Sequence, residues 1–151
     1  MQIISKKSGP EADRLPNRTG RAPDTTLMGI DFVDVAESHV LFFGRMKEFV
    51  HGELPESKAD LSEFSQSCEL AGWLNGVGAS RFGQLRSFDR LQEAHSEFHL
   101  QAAEVLAMIR SGNWIVAEQM RKSELSQALR RVLITLTELN ESISKQTLII
   151  S

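Results

Sequence analysis

From residue 27 onward, apolar side chains return every three or four positions, the period of a helix with one buried face. Phe32, Val35, Ala36, His39, Phe42, Phe43, Met46, Phe49 and Val50 share such a face and predict a first helix over about 28–51. His51-Gly-Glu-Leu-Pro stops it, with glycine at the end and proline shortly after. Leu61, Phe64, Cys68, Leu70, Ala71 and Trp73 predict a second helix that starts near Ser57. Asn75-Gly-Val-Gly, with Gly83 beyond it, predicts a loop.

The third helix has the clearest pattern. Leu85, Phe88, Leu91, His95, Phe98, His99, Ala102, Val105, Leu106 and Ile109 line one face over about 84–110, and Ser111-Gly-Asn turns the chain. A fourth helix is predicted over about 113–146, where Leu125, Leu129, Val132, Leu136, Leu139 and Ile143 alternate steps of four and three as a heptad seam. The only strand-like stretch is the short Leu148-Ile-Ile tail. Four helices on short links predict an all-α fold, an antiparallel four-helix bundle occupying residues 27–151.

Residues 1–26 break the pattern. Gly9, Pro10, Pro16, Gly20 and Pro23 punctuate them, no period survives, and the reading is a flexible N-terminal arm. Five basic residues there (Lys6, Lys7, Arg14, Arg18 and Arg21) are interleaved with three acidic ones, so the arm lacks the clustered charge of a nucleic-acid tail. The net charge of −3 gives no global attraction to nucleic acid or anionic membranes. No apolar run approaches the roughly 20 residues of a membrane span, and the start has no secretory core. A lone cysteine, Cys68, cannot form an internal disulfide. A cytoplasmic protein is the expectation.

The candidate chemistry lies in the few soft-metal ligands: His39, Cys68, and His95 with His99 as an H-x-x-x-H pair. On a helix, residues i and i+4 share a face one turn apart, so both imidazoles can meet one ion. Taken singly, each residue has a plainer role: a core histidine bonded to a carbonyl, or a cysteine packed as a small hydrophobe. As a set they place an inward-facing donor on the first and second helices and two on the third. Three imidazoles and a thiolate suit a closed tetrahedral Zn²⁺ site. A zincin-type hydrolase is excluded, because Glu97 does not directly follow His95 and faces away from it on the helix. No nucleophile–base pair or glycine-rich phosphate loop is read, so no catalytic residue is assigned and a non-enzymatic role is expected. His51, roughly 18 Å along the helix axis from His39, cannot share its ion and is read as a helix-end residue. Trp73 and Trp114 are read as packing residues, and Arg121, Lys122, Arg130 and Arg131 as a solvated face.

These residues resemble the chemoreceptor zinc-binding (CZB) domain family of bacterial signalling proteins. The family pattern is a histidine with an apolar residue three positions on, then Cys-x-Leu-Gly-x-Trp, then H-x-x-x-H. Here His39 with Phe42, Cys68-Glu-Leu70-Ala71-Gly72-Trp73, and His95 with His99 match it, over a stretch of about 28–145. One departure is Ala71 where the family has glycine, a change that removes no ligand. The resemblance implies that the four ligands carry over onto His39, Cys68, His95 and His99, and that the domain is a zinc-binding bundle, often a homodimer. It further implies a regulatory role beside chemoreceptors or diguanylate cyclases of cyclic-di-GMP signalling, in which zinc occupancy changes output. Two other roles share the same ligand set: redox sensing, with an oxidant such as hypochlorous acid acting on Cys68, and a dimerisation scaffold in which zinc is only structural. With no cyclase stretch or receptor signalling hairpin read here, output through dimerisation or a separate partner is the expectation.

Overall fold

A computed structural model describes residues 29–52 and 68–150, with side chains as far as residue 146. Helix α1 spans Phe32–Val50, α2 Glu69–Leu74, α3 Val77–Phe82, α4 Arg86–Arg110 and α5 Trp114–Met120. A π-helical turn, Arg121–Leu125, joins α5 to α6, Ser126–Ile150, as one rod. No strand occurs among the described residues, so the chain is an all-α bundle. The predicted N-terminal arm and the first part of the predicted second helix lie outside the described residues.

Helix ends fall where local chemistry puts them. The Asp31 carboxylate accepts from the Val33 and Asp34 amides at 2.9 and 3.3 Å, which caps α1 and contributes about 1 kcal/mol. Gly52 and Gly112, with φ of 76° and 87°, turn the chain out of α1 and α4 in a conformation that glycine adopts without strain.

The contacts set the directions of the long helices. Ser87 and Arg90, early in α4, reach Ser142 and Glu138, late in α6. His51 at the end of α1 meets Glu118 in α5. Thus α1 and α4 run the same way and the rod runs opposite to both. The heptad seam residues Leu125, Leu129, Val132, Leu136, Leu139 and Ile143 are all buried in one core with Phe42, Met46, Leu91, Phe98 and Val105.

The structure departs from the sequence expectations in five places. Cys68 is not within a helix: its backbone is extended (φ −67°, ψ 117°) and it stands just before α2. The predicted 75–83 loop contains α3 instead. Gly78 permits that helix, since a Cβ there would lie 2.6 Å from the Trp73 ring, and the close approach buries Phe82 and Trp73 together. The Leu148–Ile150 tail is helical, because extending an existing helix adds a hydrogen bond for each residue fixed. The predicted fourth helix carries the π turn. Arg121, read as solvated, is buried, its charge met by Glu118 and its guanidinium over the Phe43 ring. Trp73 is core, whereas Trp114 remains partly exposed with an edge contact to Phe49.

Two glycine substitutions separate these packing claims. Gly78→Ala is expected to destabilise the protein by about 1–3 kcal/mol through overpacking on Trp73. Gly44→Ala, in mid-helix with no described atom within 4 Å of the new methyl, is expected to stabilise by about 0.5–1 kcal/mol. Urea denaturation midpoints check both directions.

Candidate metal centre

Three stretches of chain deliver the four donors. His39 projects inward from the middle of α1 and is completely buried. His95 and His99 stand one turn apart on α4, the first buried and the second half-buried. Cys68 enters from the extended residue before α2 and is half-buried. All four predicted residues therefore converge, and one donor atom from each lies within 4.8 Å of the others.

The individual distances describe the shape. Cys68 Sγ lies 3.7 Å from His39 Nε2 and 3.3 Å from His95 Nε2, and His95 and His99 Nε2 are 3.0 Å apart. A tetrahedral zinc with bonds of about 2.0–2.1 Å to nitrogen and 2.3 Å to sulfur requires donor–donor edges of about 3.3–3.6 Å. Those three edges are within about half an ångström of that geometry, and the four donors together span no more than 4.8 Å. His39 Nδ1 is 2.8 Å from the Val35 carbonyl. A carbonyl only accepts, so Nδ1 carries the proton and Nε2 turns its lone pair toward the cluster. Such an outer hydrogen bond is what orients a metal-binding imidazole. The donor set, its spacing and the fixed His39 tautomer fit a zinc ion.

Residues 39–106 match the family model of the chemoreceptor zinc-binding domain, a span that opens on His39 and includes all four residues. That stretch is similar to a CZB domain. The CZB family is a regulatory, zinc-binding one, and the cluster is positioned for that ion. No curated protein and no solved structure matches the chain. No helix among the described residues is long and apolar enough to cross a membrane.

The electrostatics of the cluster favour neutral rings and oppose a free thiolate. Burial lowers His95 to about 3, with the neighbouring His99 and His39 adding to the effect. Burial and then His39 lower His99 to about 4. His39 is lowered by burial, partly offset by its Val35 bond. Burial raises the Cys68 thiol, and the Ala71 and Leu70 amides at the start of α2 offset part of that rise. Beside the cluster, a groove of about 440 Å³ between α2 and α4 is lined by His95, His99, Ala71, Leu74 and Leu100 among others. Glu97 lies off this cluster, accepting from Gln101 at 2.7 Å.

Sequence reasoning missed one polar network. Glu118 accepts from Arg121 through both oxygens at 2.8 Å and bonds His51 Nε2 at 3.0 Å. The i, i+3 spacing of Glu118 and Arg121 was the available signal. His51 itself caps α1, as its helix-end position predicted.

The depressed histidines fix the pH response of the metal-free protein. Unfolded, both rings titrate near 6.5; folded, His95 does so near 3 and His99 near 4. As pH falls below about 6.5, the unfolded chain takes up the protons first and stability declines until the folded rings titrate as well. Chemical denaturation in chelator should therefore give a lower stability at pH 5 than at pH 7.5, by up to about 2 kcal/mol per shielded histidine. The loss should shrink in His95→Phe/His99→Leu.

Proposed function

We propose that this CZB domain is a zinc-responsive regulatory unit in which His39, Cys68, His95 and His99 hold one Zn²⁺. The observation that carries this reading is the meeting of four donor atoms within 4.8 Å, inside a span that matches a zinc-binding family. When bound, zinc supplies a tetrahedral cross-link and keeps the thiol deprotonated. His39 then fixes α1, His95 and His99 fix α4, and Cys68 fixes the entry to α2. Loss of the ion leaves two buried imidazoles, the half-buried His99 and a thiol facing one another, and α1 is free to move relative to α4. The family resemblance supports an output through a second copy of the chain or a separate cytoplasmic signalling protein of the chemoreceptor or diguanylate cyclase kind.

A second stimulus is favoured by one observation, the partial exposure of Cys68. Attack of the Cys68 thiolate on hypochlorous acid forms a sulfur–oxygen bond and expels chloride, leaving a sulfenic acid. The sulfur is thereby oxidised by two electrons and lost as a thiolate ligand. Both stimuli act through the same four residues.

Calorimetric titration of the metal-free protein with zinc tests the ligand set. One ion per chain is expected, with affinity falling at least about 100-fold in Cys68→Ala or His99→Ala, beyond the loss typical of an outer-shell change. Because the histidines are already neutral near pH 7, Cys68 alone should release a proton on binding, and affinity should change about tenfold per pH unit between roughly pH 7 and 8. Release of three or four protons, or unchanged affinity in the variants, contradicts the assignment.

A further inference from the structure

Between α5 and α6 the rod takes a wider turn, in which the Ser126 amide reaches back to the carbonyl of Arg121, five residues earlier. That turn sets the register of the two halves. Ala117, Arg121 and Leu125 follow at intervals of four, and all three are buried. In an uninterrupted α-helix each interval of four drifts by about 40° around the axis. The wide turn cancels the drift and returns Leu125 to the core.

The turn is held from α1. Arg121, 7% exposed, makes its paired bonds to Glu118 and lies over the Phe43 ring, 5.6 Å from its centroid. Glu118 also bonds His51 at the end of α1. Phe43 follows His39 by four residues, one turn further along the same helix. The metal cluster and the clamp on the π turn therefore share one helix. π turns are rare and tend to occur at functional positions, and this one is tied by a buried charge instead of by apolar packing alone.

We propose that the Arg121–Leu125 π turn is the element that reads the state of the His/Cys cluster. With α1 fixed through His39, Phe43 and His51 hold the Glu118–Arg121 pair in place and the turn stays wide. With α1 released, the clamp opens, the turn loses its register, and α5 rotates against α6. This inference rests on the zinc reading above and adds to it the segment that moves.

Hydrogen exchange on the full chain, with one equivalent of zinc or with chelator, tests it. Zinc is expected to slow exchange of the amides of residues 121–126 at least about tenfold more than those of residues 129–140 in α6. In Arg121→Met, which keeps an apolar stem over Phe43 but removes the charge pair, zinc should still bind within about threefold of the wild-type affinity. The extra protection at 121–126 should be lost there, and likewise in Glu118→Gln. One zinc bound per chain with equal protection across both segments of the wild-type protein overturns the inference alone, as does full zinc-dependent protection of 121–126 in both variants. Less than one zinc per chain in the same samples overturns the metal reading and this inference with it.

Discussion

The meeting of His39, Cys68, His95 and His99 imposes a register on the whole bundle. Four donor atoms within 4.8 Å leave little room for α1 and α4 to slide past each other. One helical turn rises about 5.4 Å, so a slip of a single turn in α1 would replace His39 with Val35 or Phe43 and remove a donor entirely. The core is built to that register: Phe98, which lies between His95 and His99 in α4, packs on both His39 and Phe42. Burying the His39 and His95 imidazoles without compensation costs several kcal/mol, and the compensation here is local. The Val35 carbonyl takes the outer proton of His39, and the remaining donors face one another.

Much of this was legible in the sequence, and for a specific reason. Helices α1, α4 and α6 are long enough for their apolar period to outweigh local noise, so their faces, and the inward direction of His39, His95 and His99, follow from spacing alone. What escaped has equally specific causes. Helix α3 carries a glycine that propensity reads as a breaker, although Gly78 serves the contact with Trp73. The π turn hides in plain sequence because one extra residue per turn leaves no mark on a heptad count that begins at Leu125. Arg121 looks like any surface arginine until Glu118 and Phe43 are placed beside it. Cys68 was given the right partners but the wrong local structure, since a period of apolar residues runs through a position whose backbone is extended.

That last difference has a chemical consequence. A cysteine inside a helix presents its sulfur to the core with its amides already engaged. Cys68, just before α2, has the Leu70 and Ala71 amides near its sulfur, and these partly offset the burial that disfavours a thiolate. The histidines are poised the opposite way, kept neutral by burial and by one another. The cluster is thus ready to accept a cation on the side of its three nitrogens and needs to lose only the sulfur proton. In the proposed regulatory role, that arrangement would tie occupancy to metal supply and to the chemistry of a single sulfur.

X-ray absorption spectroscopy at the zinc edge of the loaded protein reads the first shell directly. The account predicts three nitrogen scatterers at about 2.0–2.1 Å and one sulfur at about 2.3 Å, with imidazole multiple scattering from the rings. A shell of oxygens in six-fold coordination, a shell without sulfur, or one with two or more sulfurs would contradict it.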